Sequence, residues 1–256
     1  MNILCPVCKK RLYKKDRSYR CESGHNFDIA KEGYLNLNRR DSKNTGDNPD
    51  MIKARKRFLD KGYYAFLAEA VNDLLEEGDS LVDLACGEGY YTSRFCCKDK
   101  IGIDLSKSGL KIASKSDKDT LYLLNSIFHD PLEDKCCDKV VTIFAPIAGK
   151  EICRILKDDG SFILVRPDKR HLLQLKQIVY DHPYLNEAED VVIPGLTRTD
   201  QIKIEEEKTV SKEDLSDLFM MTPYYNTTSL TDKKKLEKAG DTKISFCFII
   251  DIFKKG

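Results

Sequence analysis

Val82-Asp-Leu-Ala-Cys-Gly-Glu-Gly-Tyr-Tyr91 is the stretch on which the fold turns. It begins in a short apolar strand, Ser80-Leu-Val-Asp-Leu-Ala85, and runs into the glycine turn Cys86-Gly-Glu-Gly89. A helix is expected to start near Tyr90. Gly87 and Gly89 let the backbone bend sharply and approach a ligand closely. A turn at the carboxyl end of a strand is where open α/β sheets bind ligands. The dinucleotide fingerprint needs a third small residue three positions after the second glycine, and Thr92 stands there, which disfavours a pyrophosphate. Asp83 precedes the glycines. Asp104 ends the next apolar run, Lys100-Ile-Gly-Ile-Asp104, and an acid so placed can accept hydrogen bonds from both ribose hydroxyls of a nucleoside.

Outward from this turn the chain alternates strand and helix. Leu121-Tyr-Leu-Leu124, Lys139-Val-Val-Thr-Ile-Phe144 and Ser161-Phe-Ile-Leu-Val165 read as further strands. A helix capped by Ser106 follows the second strand. Another over 150–157 ends at Asp159-Gly160. The pattern predicts a mostly parallel, doubly wound α/β sheet with helices on both faces. Upstream, Met51 to Glu77 repeats apolar residues at three and four, with a break near Gly62. Downstream, helices are expected over 172–180 and 212–221, the latter capped by Ser211, and a strand over 244–253. Residues 186–210 are polar and mixed, with no clear periodicity.

The first 38 residues have a different character. Cys5-x2-Cys8 is followed by Cys21 and, three residues on, by His25. Zinc takes four tetrahedral Cys and His ligands at such intervals, and a full set of four leaves no open position for water. A closed structural zinc site on Cys5, Cys8, Cys21 and His25 is expected, holding together a segment too short to bury its own core. The plain alternative is three thiols in a small hairpin. The spacing suggests three parts: a zinc-binding module over 1–38, a polar linker over 39–50 and a larger domain over 51–256.

Composition sets limits. The chain has 256 residues, is 41% hydrophobic and carries a net charge of +1, so overall charge does not advertise a nucleic-acid partner. The charge is uneven, however, and Arg39, Arg40, Lys53, Arg55, Lys56 and Arg57 form a local basic run that could meet phosphates or simply be a solvated helix face. No apolar run is long enough for a membrane span, and no export signal is evident, so a cytoplasmic protein is expected. The remaining seven of ten cysteines lack regular spacing and read as ordinary thiols.

S-adenosylmethionine has a ribose, an adenine and a methionine tail but no phosphate, which suits Asp83-x-x-x-Gly87-x-Gly89 with Asp104 downstream. This pattern resembles the first motif of class I methyltransferases. The resemblance gives Asp104 the ribose, places Asn125 and Ser126 near adenine, and sets Phe144-Ala-Pro146 beside the reacting centre. The whole order of motifs is narrower still. Cys5-Pro-Val-Cys8, Cys21-x-x-x-His25, Phe27-Asp-Ile-Ala-Lys-Glu-Gly-Tyr-Leu-Asn-Leu37, Gly46-Asp47, Gly87-Glu-Gly-Tyr-Tyr91, Arg170-His-Leu and Met221-Thr-Pro223 resemble the large-subunit ribosomal RNA (guanine-N1)-methyltransferases. That resemblance implies methylation of N1 of one guanine in an RNA hairpin loop, a structural zinc and a homodimer. It also implies cofactor contacts at Tyr64, Gly89, Tyr90 and His171. Adding the glycine-turn residues, the candidate cofactor set is Tyr64, Asp83, Gly87, Glu88, Gly89, Tyr90, Asp104, Asn125, Ser126 and His171. Ala85 stands where the family commonly has glycine, which is harmless if its dihedrals are ordinary. No general base is evident, His171 being one candidate. A methyltransferase acting on a small molecule and a non-catalytic zinc-containing RNA-binding protein are the competing readings.

Overall fold

In the computed structural model, residues 1–39, 49–187 and 190–256 are described. Arg40, Gly46-Asp47 and most of the expected linker lie outside them. Near the N-terminus β1 (Tyr13–Lys15), β2 (Ser18–Arg20) and β3 (Asn26–Asp28) form an antiparallel meander. The chain then enters the main sheet through β4 (Leu35–Asn36), which pairs in parallel with β7 (Thr120–Leu124).

The main sheet has eight strands in the order β10-β11-β9-β8-β5-β6-β7-β4. Its parallel centre comprises β5 (Ser80–Leu84), β6 (Asp99–Asp104), β7, β8 (Cys137–Ile143) and β9 (Leu156–Pro167). The strand order reverses beside β5, between β6 and β8, and so places a ligand crevice at the end of β5. β11 (Thr242–Lys255) runs antiparallel to both β9 and β10 (Leu196–Val210). The fold is that of a class I methyltransferase.

The helices α1 (Pro49–Asp60) and α2 (Ala65–Asn72) are divided where Gly62 takes φ +79°. α3 (Lys107–Ser116) is capped by the Ser106 hydroxyl, which accepts from Gly109 N–H at 3.2 Å. α4 (Gly149–Ile155), α5 (Leu173–Val179) and α6 (Lys212–Met220) follow, the last capped by Ser211.

Three local expectations change. No α-helix follows the glycine turn: a single 3-10 turn, Thr92–Arg94, leads into β6. Only a few residues separate Tyr90 from Asp99, and Phe95 and Cys97 are drawn into the core. The helix before the fifth strand ends at Ile155, so Asp159-Gly160 lies inside β9. The polar stretch 186–210 contains the fifteen-residue β10, an edge strand with half-buried positions alternating with solvent-facing ones.

The zinc-binding segment does not sit apart. Ile3, Leu12, Cys5 and Cys21 belong to the same buried cluster as Val82, Leu84, Ile101 and Leu123 of the sheet. Leu4 N–H donates to the Pro131 carbonyl at 2.6 Å, and the terminal ammonium meets Asp99 at 2.7 Å.

Candidate active site and metal centre

The four N-terminal ligand atoms lie within 4.8 Å of one another. His25 Nδ1 is 3.5 Å from Cys5 Sγ and 3.3 Å from Cys21 Sγ, and Cys8 Sγ is 3.6 Å from Cys21 Sγ. A tetrahedron with ordinary zinc–sulfur and zinc–nitrogen bonds has edges of about 3.5–3.8 Å, so the cluster has the right size and donor chemistry. Backbone hydrogen bonding at Lys10 holds the Cys8 thiol down at about 6, which favours the thiolate that zinc needs.

At the carboxyl end of β5 a cavity of about 1060 Å³ opens between the glycine turn, α1, the β8–α4 loop and residues 184–187. Tyr64, Asp83, Gly87, Glu88, Tyr90, Asp104 and His171 line it. Gly87 (φ +59°) and Gly89 (φ +79°) take left-handed conformations. A Cβ on Gly89 would stand 2.7 Å from the Tyr122 hydroxyl and 2.9 Å from Ala113 Cβ, so the turn is pressed against β7 and α3. Asp104 organises the turn: Oδ2 accepts from Gly87 N–H at 2.8 Å and Oδ1 from Ser106 N–H at 2.6 Å.

Ala85, preceding the turn, has φ +66°, so the expectation of ordinary dihedrals fails. Phe144 (φ +55°) and Leu172 (φ +58°) are likewise left-handed, and all three line the cavity. Backbone strain of this kind persists where the surroundings over-determine it, commonly at ligand sites.

The cavity also collects buried polar atoms without hydrogen-bond partners among the described residues: Glu88 Oε1 and the hydroxyls of Tyr90, Tyr91 and Tyr224. Such groups are costly unless a ligand satisfies them. Asp83 is buried and accepts from the Thr92 hydroxyl at 2.5 Å. Burial pushes its carboxyl up to about 7, and the neighbouring Asp104 and Glu88 act in the same direction, against the Thr92 hydrogen bond. An acid with these surroundings suits the positive charges of a sulfonium amino acid.

His171 is buried, and its Nδ1 accepts the backbone N–H of Cys247 at 3.3 Å. That contact places the proton on Nε2, 3.4 Å from the Tyr64 hydroxyl. Burial, reinforced by the Lys176 ammonium, holds the imidazole at about 3, so it is neutral at physiological pH. With Nδ1 engaged and Nε2 protonated, His171 has no open lone pair for a substrate proton. Its ring stacks near Phe144, at 6.4 Å and 23° between planes.

Some sequence candidates fall elsewhere. Asn125 and Ser126 are not on the cavity wall. Asn125 Nδ2 donates to the Ser126 and His129 carbonyls, and Ser126 caps the following 3-10 turn. Gly89 lies one step behind the wall, against a smaller cavity beside Tyr90 and Arg94. The basic run divides too. Arg39 and Lys53 are exposed, Lys56 pairs with Asp60, and Arg57 grips Asp217 of α6 through two nitrogens. Arg55 lines the cavity close to Gly87. Sequence reasoning had not placed Arg55, Lys176, Tyr184 or Tyr224 there. The one signal was a lysine interrupting the apolar run of α5.

Comparison with known proteins agrees with this geometry. Residues 3–44 match the zinc-ribbon family described as "RlmA, N-terminal", and residues 82–164 match the "Methyltransferase domain" family. The chain is 34% identical over 184 residues to a 23S rRNA (guanine(748)-N(1))-methyltransferase of Streptomyces fradiae, covering 68% of this chain and 66% of that protein. It is 30% identical over 240 residues to "Putative 23S rRNA (guanine-N(1)-)-methyltransferase YxjB" of Bacillus subtilis, covering 86% and 85%. A third relative, named "Putative 23S rRNA (guanine-N(1)-)-methyltransferase", from Micromonospora griseorubida, is 31% identical over 201 residues, 68% of each chain. A zinc cluster of the right size, a glycine turn with its two acids, and relatives that match along most of their length converge: the chain belongs to the 23S rRNA (guanine-N1)-methyltransferase family, with S-adenosylmethionine as methyl donor and a structural zinc.

Proposed function

We propose that the target is one guanine of a large-subunit rRNA hairpin loop, splayed out of its stack and inserted into the 1060 Å³ cavity. The observation that carries this reading is the cavity itself. One wall is the glycine turn with Asp83 and Asp104. The other carries Phe144, half exposed, and Tyr184. A single space of that size accommodates a nucleoside cofactor and a base together.

When bound, S-adenosylmethionine supplies a methyl group on a positively charged sulfur. In this reading Asp104 and the glycine-turn amides orient the nucleoside, Asp83 faces the positive methionine end, and Tyr64, Tyr90 and His171 close the site against water. Alignment and exclusion of water then carry most of the acceleration. Arg39, Arg40 and Lys53 are assigned to phosphates, with Lys56, Arg55 and Arg57 contributing to the positive field of α1. Residues 1–38 form the zinc unit that grips the hairpin, 39–50 the connection and 51–256 the catalytic domain. A homodimer in the cytoplasm completes the proposal. Among the described residues no helix is long and apolar enough to cross a membrane.

The test is transfer of label from S-adenosylmethionine to unmodified large-subunit RNA, with the product nucleoside identified by mass spectrometry. The expected product is 1-methylguanosine at one hairpin position. Label in a small metabolite and none in RNA would overturn the proposal, as would cofactor binding without transfer to any acceptor.

A further inference from the structure

Lys176 sits on the buried face of α5, 1% exposed, and lines the cavity. Its Nζ donates to the Tyr184 carbonyl at 3.2 Å and to Asn186 Oδ1 at 2.6 Å. Asn186 has no freedom to turn its amide, because Nδ2 donates to the carbonyls of Asp168 and His171. The ammonium lies 4.1 Å from the Tyr184 ring centroid and 5.6 Å from that of Tyr224. Aromatic faces stabilise such a cation but do not neutralise it. Among the described residues no carboxylate lies within ion-pair distance of Lys176, and two acceptors use only two of its three N–H groups. The hydroxyl of Tyr224, whose ring is the one 5.6 Å away, is buried and makes no hydrogen bond of good geometry among the described residues.

A buried charge without a counter-anion is expensive. Here it is kept at the wall of the cavity. Guanine presents two adjacent acceptors, O6 and N7, on one edge, whereas adenine presents an N6 donor in place of O6. We propose that Lys176, with the Tyr224 hydroxyl beside it, reads the O6/N7 edge of the target guanine and thereby selects guanine over adenine. This rests on the guanine-N1 reading above.

The contact also bears on the reaction. O6 is bonded to the carbon next to N1, so loss of the N1 proton moves negative charge onto O6, where the ammonium stabilises it. The N1 proton passes to water on the solvent-facing side of the cavity, where Phe144 and Tyr184 are half exposed, while the side lined by Tyr64, Tyr90 and His171 stays closed. The N1 lone pair forms the new N–CH3 bond, and the sulfur–methyl bonding pair stays on sulfur. No protein base is needed, in keeping with the engaged nitrogens of His171.

The experiment uses the full chain and two synthetic hairpins bearing either guanine or 2-aminopurine, which lacks O6, at the position found in the nucleoside assay. Binding is measured with S-adenosylhomocysteine present. Wild type should bind the guanine hairpin about 10-fold more tightly or better. Lys176→Met should erase that preference while leaving affinity for S-adenosylmethionine unchanged. Equal wild-type affinity for the two hairpins would overturn the proposal, whether or not the variant folds. So would a variant that weakens both hairpins equally, which marks a purely structural lysine, or one that loses the cofactor, which marks a ligand for the methionine carboxylate. Failure of wild type to methylate any RNA would instead refute the functional reading.

Discussion

Asp83 is buried, accepts a hydrogen bond from one hydroxyl and feels two other acids, Asp104 and Glu88. Burial pushes its carboxyl up to about 7, well above the ordinary aspartate value. A cationic ligand favours the ionised form and lowers that value, so binding below pH 7 must expel a proton. Affinity for S-adenosylmethionine should therefore rise as pH rises through 7 and level off above it. Titration calorimetry in buffers of different ionisation heat would detect the released proton, and none appearing would contradict this. Asp83→Asn should bind more weakly with a flat profile. A second residue makes a smaller claim. Ala85 holds a left-handed φ of +66°, which costs an L residue roughly 1–2 kcal/mol, while glycine loses about 0.5–1 kcal/mol in chain entropy. Ala85→Gly should thus gain up to about 1.5 kcal/mol, raising Tm by up to about 3 °C in a chain of this size. A lower Tm would mean that the alanine methyl packs better than its backbone suffers.

At the level of elements, the parallel centre was legible because strands buried on both faces read as continuous apolar runs, and each was followed by a turn or a cap. Ser106 and Ser211 announced their helices and do cap them. β10 was hidden because an edge strand needs only alternate positions half buried, and here three of those positions, Arg198, Glu206 and Lys208, are charged. Its pattern shows in Ile202 and Ile204 alone before the charges resume. The cavity walls drawn from 172–187 and 221–224 were illegible for another reason: long-range packing brings Lys176, Tyr184 and Tyr224 together, and no local spacing encodes it. One buried residue joins the antiparallel strands. Asp251 of β11, fully buried, accepts from Arg166 Nε of β9 at 2.7 Å and from Gln201 Nε2 of β10 at 2.6 Å. Asp251→Ala strands the largely buried Arg166 guanidinium, at a cost of about 3–5 kcal/mol. Urea unfolding should show a correspondingly lower midpoint. An unchanged midpoint would mean that Arg166 finds water.

Across the whole molecule, the zinc cluster and the catalytic sheet share one core. Cys5 and Cys21 pack in the same cluster as Val82 and Ile101, and β4 hydrogen-bonds to β7 at the sheet edge. The metal therefore acts beyond its own loops. Three short strands cannot hold four ligand side chains together without it, because thiolates as close as Cys8 and Cys21, 3.6 Å apart, repel one another and the segment buries little apolar area alone. Cys8→Ser removes one ligand at a half-exposed position, with little change in packing. It should abolish stoichiometric zinc, and amide exchange should accelerate first in residues 1–38. Exchange should then quicken in β7, which loses its neighbour when β4 frays, while β8 and β9 stay protected on the far side of β5. Faster exchange confined to 1–38 would show that the zinc unit is energetically separate from the sheet. The same variant should bind S-adenosylmethionine nearly as well as wild type, since the glycine turn is held by Tyr122, Ala113 and Asp104 and not by the cluster. Loss of cofactor affinity alongside the zinc would instead mean that disorder at β4 and β7 reaches the turn through Tyr122.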